Sequence, residues 1–391
     1  MTDVVIVGLG QTTVGEHWDV GLRELAFHAI DAAIKDAGGL RPQALFVGNM
    51  LAPNLSRQAH LGALLADYAG LRFDYAQHSA GIEAVTIEAA GASGGAALRQ
   101  GYLAIKSGLV DTALVVGVEK FTDQVGAGVE EALATAADSD FESVQGMTAT
   151  SQAALILQRY MHEYDVPADG FAGFALTAHA NGAGNPNAMF RKAIKPELYA
   201  RAGEPLNMFD IAPNADGAAA LVLTRRDLLP SDVPNPLVKI AGSATASDTL
   251  ALHDRKDMLF FEAVHNSTGR AIKQAGITLD QINLFEYHDV FSIYAALALE
   301  STGFAIRGQG WKLAAEGAIA LTGRIPCATM GGLKARGFPG GATGVYQAVE
   351  AAQQLRGQAE ANQIADAKYA LIQSLGGPAS TAVSHILQTL N

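Results

Sequence analysis

The stretch Glu88–Gly101, EAAGASGGAALRQG, decides how this chain is to be read. Immediately before it, Ala84–Ala89 (AVTIEA) alternates and is β-branched, which predicts a strand. After it, Ala96, Ala97, Leu98, Tyr102, Leu103 and Ile105 recur at helical spacing. A sharp strand-to-helix turn built from small residues is a place where proteins present a nucleophile at a helix N-terminus. There the helix dipole and free N–H groups favour an anion. The residue at this turn, Gly91, has no side chain.

A related segment lies far along the chain. Ala92–Gln100 (ASGGAALRQ) matches Phe338–Tyr346 (FPGGATGVY), each a glycine-rich turn opening a helix that leads to an apolar strand, TALVVGV or KYALIQSL. A second pair repeats in the same order. Ala33–Asn49 (AIKDAGGLRPQALFVGN) and Ala271–Asp289 (AIKQAGITLDQINLFEYHD) share helix end, glycine stop, polar turn and strand. Upstream of each lies a β-rich start, DVVIVGLGQT or PLVKIAGSAT. Two matches in one order predict two similar βαβ-type halves. Between them, residues 119–210 break the βα rhythm with an acidic stretch, an amphipathic helix around SQAALILQRYMHEY and a polar segment through NPNAMFRK. Such segments cap the open end of a sheet and build ligand mouths. The expected division is an N-terminal half, 1–118 with 211–230, a loop domain, 119–210, and a C-terminal half, 231–391.

Composition narrows the function classes. The chain has 391 residues, 49% hydrophobic and 17% charged with 42 glycines, which suits an α/β protein with many tight turns. A net charge of −12 argues against a nucleic-acid or anionic-membrane surface. The longest apolar runs are strand-length, too short to span a bilayer. Met1 leads directly into a polar residue and a strand, with no basic-then-apolar signal segment. The single cysteine, Cys327, allows no intrachain disulfide, so a reducing cytoplasm is expected. The 10 histidines show no metal-ligand spacing, and no tightly bound metal or cofactor is expected.

Taken together, the segments AAGASGGAALR, ALVVGVEKFTD, RYMHEYDV, NPNAMFR, DIAPNADGAAALVL, EYHDVFSIYAALALESTGF, GGLKARGFPGGATG and LGGPASTAVSHIL resemble the thiolase superfamily. The likeness is to its sterol-carrier-protein-2-like and archaeal acetoacetyl-CoA thiolase branch, and it covers nearly the whole chain. The resemblance implies two βαβαβαββ halves in a five-layer αβαβα sandwich, acyl-CoA as substrate or ligand, and acyl transfer as the family activity. It also implies a homodimer or dimer of dimers through the edge strand EAVTIEA, and in this branch a small zinc-ribbon/OB-fold partner.

The family's catalytic strings are only partly kept. Where the family carries its nucleophilic cysteine in ACASG, this chain has Ala90-Gly91-Ala92-Ser93-Gly94. Where it carries the activating histidine in GHP, this chain has Gly337-Phe338-Pro339. His288-Asp289-Val290-Phe291 keeps the HDAF-like string, and Leu375-Gly376-Gly377 keeps the glycine-rich turn that supplies a backbone donor. A C–H bond cannot replace a thiolate, and phenylalanine neither accepts nor donates a proton. Cysteine-dependent thiolysis or Claisen condensation is therefore not expected. Two separate departures favour natural divergence over a single engineered change.

What remains is an oxyanion pocket from the Gly91 and Gly377 N–H groups and His288, able to polarise a carbonyl or move a proton. Beside the catalytic reading of His288 stands that of a satisfied structural histidine. Ser93 reads as a capping or packing residue, Cys327 as a buried inert thiol on an apolar strand, and Tyr294 and Tyr346 as core or pocket lining. Arg191, Lys192 and Lys195 are candidates for the phosphates of coenzyme A, or a solvated loop face. Arg72–Ala80 (RFDYAQHSA) looks inserted relative to the family. Two functions from different classes fit these residues: a C–C lyase of retro-aldol type on a CoA thioester, and a non-catalytic acyl-CoA-binding or scaffolding subunit. An enzyme keeps a pocket with polar groups near Gly91, whereas a scaffold can fill that space with side chains such as Phe338.

Overall fold

Val4–Gln11 and Gly217–Arg225 are apolar enough to be buried on both faces, and they pair antiparallel at the middle of the molecule. The computed structural model describes residues 2–71, 73–74, 79–200, 206–230 and 235–390. Its strands are β1 (Val4–Gln11), β2 (Ala44–Gly48), β3 (Phe73–Asp74), β4 (Ser79–Ala80), β5 (Glu83–Ile87), β6 (Thr112–Glu119), β7 (Gly217–Arg225), β8 (Leu237–Ser247), β9 (Leu284–Glu286), β10 (Tyr369–Gly376) and β11 (Thr381–Leu390). Nine of them form one sheet in the order β5-β2-β6-β7-β1-β8-β11-β10-β9. The two halves join where β1 meets β8, at Val5–Lys239 and Ile6–Val238. Each half runs first strand, last strand, next-to-last strand, second strand outward from that seam, so the sequence repeat is a repeat of topology.

Helices cover and separate the halves. Leu22–Asp36 packs on the outer face of the N-terminal half, and Glu262–Ala275 does the same for β8 and β11. Ser93–Lys106 and Thr343–Arg356 lie against each other between the two halves and form the central layer. The layers therefore run α-β-α-β-α. The central apolar cluster draws on both halves, with Leu98 and Ile105 from one helix and Val345 and Val349 from the other.

The two central helices meet at their glycine-rich starts. A Cβ on Gly94 would lie 2.7 Å from the Gly341 carbonyl oxygen, and one on Gly344 would lie 2.2 Å from the Gly95 nitrogen. Only glycine permits backbones this close. The SGG and PGGATG strings are thus the contact between the halves, which explains why they match.

Two details sharpen the sequence reading and one, Cys327, corrects it. The helix after the Gly91 turn begins at Ser93, so Gly91 stands just outside it. Cys327 does not sit on a strand; it makes one isolated bridge to Phe285. Within Arg72–Ala80, β3 and β4 pair as a short antiparallel hairpin, while residues 72 and 75–78 lie outside the described residues. Among the described residues no helix is long and apolar enough to cross a membrane.

Candidate functional site

The Gly91 turn is held by its own backbone and one serine. Ala90 adopts a positive φ of 50°, which reverses the chain between β5 and the central helix. Ser93 is fully buried; its Oγ donates to the Ala90 carbonyl at 2.6 Å and accepts from the Ala89 N–H at 2.9 Å. Both interactions brace the turn, as a capping serine does. The expectation that Ser93 is structural fits this geometry.

Opposite it stands the Phe338 turn. Gly337 at φ 109° and Gly340 at φ 44° flank Phe338 and Pro339. The Phe338 N–H donates to the Pro213 carbonyl, and its carbonyl accepts from Ala215. Its ring packs edge-on to the His288 ring at 5.7 Å between centroids and contacts Phe121 at 6.1 Å. Burial of Phe338 in this aromatic group leaves 5% of it exposed.

His288 follows β9 and is 2% exposed. Its Nε2 lies 3.2 Å from where a Cβ on Gly91 would stand, so the ring faces the turn directly. Its Nδ1 is buried with no hydrogen-bond partner among the described residues. The neighbouring Asp289 does not serve it: Asp289 Oδ1 accepts from the Leu333 N–H at 2.8 Å. The unpaired Nδ1 favours the catalytic reading of His288 over the structural one. Burial, reinforced by the Arg336 guanidinium, lowers its pKa to about 3. It is neutral around pH 7 and can exchange hydrogen bonds, but it is not an imidazolium acid there.

Gly91, His288, Phe338, Leu375 and Gly377 share one cavity of about 90 Å³. At about 30 Å³ of liquid volume per water it holds about three water-sized groups, the scale of a short acyl chain. Much of the remaining wall comes from the helical region after β6, including Leu133, Ala137, Ala149 and Gln152. Among the described residues no Lys or Arg lines it. The Leu375 carbonyl oxygen lies 2.7 Å from the Cβ position of Gly91, so any side chain there must displace backbone.

The other sequence candidates fall outside this cavity or on its wall. Tyr294 lines it. Tyr346 is buried in the central layer, its hydroxyl donating to the Thr12 carbonyl at 3.1 Å. Cys327 is fully buried away from the wall, and burial pushes its thiol pKa up. Arg191, Lys192 and Lys195 lie on an exposed segment after the Ala172–Gly182 helix, and none lines the cavity.

Two residues escaped the sequence reading. Glu119, fully buried at the end of β6, accepts from Asn49 Nδ2, Leu51 N–H, Met50 N–H and Gly341 N–H at 2.8–3.1 Å. It ties the loop carrying Met50, a cavity residue, to the turn that follows Phe338. Burial raises its pKa to about 7, although four donors favour the carboxylate. Gln152 lines the cavity from the first turn of the Ala149–Tyr164 helix. The signal for it was a polar side chain on the buried face of an amphipathic helix.

Comparison with known proteins places this architecture. Residues 4–212 match the family model "Thiolase, N-terminal domain", and residues 244–389 match "Thiolase C-terminal domain-like". The chain is 40% identical over 391 residues to an acetyl-CoA acetyltransferase of Methanothermobacter thermautotrophicus, covering 99% of both chains. It is 26% identical to the 17-hydroxy-3-oxo-4-pregnene-20-carboxyl-CoA lyase of Mycobacterium tuberculosis, covering 94% of this chain and 95% of the lyase. The solved Ltp2-ChsH2(DUF35) aldolase superposes with a TM-score of 0.81 at 23% identity, covering 99% of this chain and 98% of the aldolase chain.

Proposed function

This chain belongs to the thiolase family, and on that premise we propose that it binds an acyl-CoA thioester with a short acyl group and handles it without a covalent acyl-cysteine. The observation that carries this reading is the cavity itself. It brings Gly91, His288, Phe338 and Gly377 together, and among the described residues no thiol lines its wall. Gly91 and Phe338 then occupy the positions of the absent nucleophile and the absent base. The thioester oxygen would lie between the Gly91 and Gly377 N–H groups and His288 Nε2.

Retro-aldol cleavage is the reaction class these groups support. In a β-hydroxyacyl thioester the hydroxyl proton leaves, the Cα–Cβ bond breaks and Cβ becomes a carbonyl. The electron pair passes to the α-carbon as an enolate whose negative oxygen is held by the donors above. Protonation of the α-carbon then completes the products. No step needs a nucleophile, and neutral His288 serves either as donor to the enolate oxygen or as relay for the proton. An open cavity beside His288 favours this over the scaffold reading, and the mycobacterial relative is itself named a lyase.

The test is titration calorimetry with acetyl-CoA, followed by incubation with 3-hydroxybutyryl-CoA and chromatography for acetaldehyde and acetyl-CoA. Saturable binding with both products is the expected result. Binding without products supports a non-catalytic subunit, one that a zinc-ribbon/OB-fold partner of the DUF35 kind would complete, while no binding at millimolar concentration rejects the proposal.

Arg191, Lys192 and Lys195 remain candidates for the CoA phosphates, since those would lie outside the acyl cavity. For assembly we propose a homodimer, or a dimer of dimers, through β5. That strand is the sheet edge, and its Val85 is 41% exposed. Light scattering reporting a stable monomer at micromolar concentration would count against it.

A further inference from the structure

The cavity contains a polar group that the thiolase-type chemistry above does not use. Gln152 is 3% exposed and lines the wall, and its side-chain Nε2 is buried with no hydrogen-bond partner among the described residues. Its position is fixed by a capping box at the helix start: Ser151 N–H donates to Thr148 Oγ1 at 3.1 Å, and Thr148 N–H to Ser151 Oγ at 2.8 Å. Ala149 and Thr150, in the same first turn, also line the cavity. First-turn N–H groups have no partner inside the helix. The Ser151 and Gln152 N–H groups are taken up by Thr148, so beside the Gln152 amide only the Ala149 and Thr150 N–H groups are left over at this end, and most of the wall is apolar.

Charge decides what they would receive. Among the described residues no Lys or Arg lines the cavity, and exposed Glu130 on its wall opposes an anion. A carboxylate would be desolvated without a counter-charge. A neutral hydroxyl suits the site better, because it accepts from the amide N–H₂ and can also donate to the amide oxygen.

We infer that Gln152 selects acyl chains carrying a neutral hydroxyl group, making this a site for hydroxyacyl-CoA in preference to the unsubstituted thioester. The inference rests on the reading that the cavity takes an acyl-CoA. A buried amide left unpaired by a plain acyl chain penalises that ligand, which is how a polar pocket rejects an analogue lacking its partner.

The experiment compares butyryl-CoA and 3-hydroxybutyryl-CoA, which differ by one oxygen, by calorimetry on the full-length protein and on Gln152→Leu. The wild type should bind the hydroxyacyl thioester at least about fivefold more tightly. Gln152→Leu should lose that preference and hold butyryl-CoA as well as the wild type or better. If the leucine variant does not fold, Gln152→Met takes its place, and the wild-type comparison needs no variant at all. Equal binding of the two thioesters by the wild type, or a preference that survives the substitution, overturns the inference and leaves acyl-CoA binding intact. Failure of both thioesters and of acetyl-CoA to bind overturns the functional reading, and this inference with it.

Discussion

The two glycine-rich turns are equivalent in the repeat, yet their parts are under different constraints. At their bases, Gly94, Gly95, Gly341 and Gly344 bring two backbones together with no room for a methyl group. At their tips, Gly91 and Phe338 face a cavity, where a changed side chain meets open space on one side as well as packed neighbours on the other. The base holds the halves together and the tip holds the chemistry. That separation lets a chain keep the whole architecture of its family while its reactive groups change.

The largest expected effect lies at the base. Gly344→Ala places a Cβ 2.2 Å from the Gly95 nitrogen, and neither backbone can yield without parting the halves. A loss of about 3 kcal/mol or more in chemical denaturation, or insoluble expression, is the expected outcome. A variant as stable as the wild type would remove the distinction between base and tip.

Phe338→Ala should cost about 3 kcal/mol, because it empties the space between His288 and Phe121. Phe338→His keeps a ring there and should cost only about 1 kcal/mol, measured by the same denaturation curves. If the histidine variant proves as damaging as alanine, the tip is a packing element first.

Gly91→Cys tests the tip from the other side. The new Cβ must push against the Leu375 carbonyl, so a loss of about 1–3 kcal/mol is expected. The thiol gains only the helix start as activator, and acylation by acetyl-CoA should be slow at most. Adding Phe338→His should raise acylation beyond the sum of the single variants, since nucleophile and base act together. Additive behaviour would show that His288 already serves as the thiol's partner.

Near neutral pH the smallest effect is that of His288 titration. With its pKa lowered to about 3, His288 stays neutral from pH 8 down past pH 5. Thioester affinity should then show no inflection near pH 6.5. In the unfolded chain the same residue takes up a proton near that pH, so its burial costs stability as pH falls from about 6.5 toward 3. His288→Asn should lose less stability over that window than the wild type, and an equal slope would place His288 in water.

Much of this was legible in the sequence, for physical reasons. Strand and helix periods around VVIVGLG and ASGGAALRQ are strong because those elements are buried by their neighbours. The paired glycine strings are visible because close backbone contact admits one residue type. The partners of buried polar groups were not legible. Asp289 stands beside His288 in sequence but serves Leu333, and Glu119 reaches a loop roughly seventy residues away and a turn more than two hundred away. Nothing local encodes those distances. Cys327 read as strand because its neighbours are apolar, yet only one bridge forms there.

The central claim is that the cavity handles thioesters without a covalent intermediate. Intact-mass spectrometry of the unaltered protein after exposure to acetyl-CoA, with a parallel assay of acetoacetyl-CoA thiolysis, tests it most directly. The account predicts an unchanged mass and no thiolysis above background. An acetyl adduct with turnover would contradict it, and Cys327, the only thiol in the chain, would then be the first residue to replace.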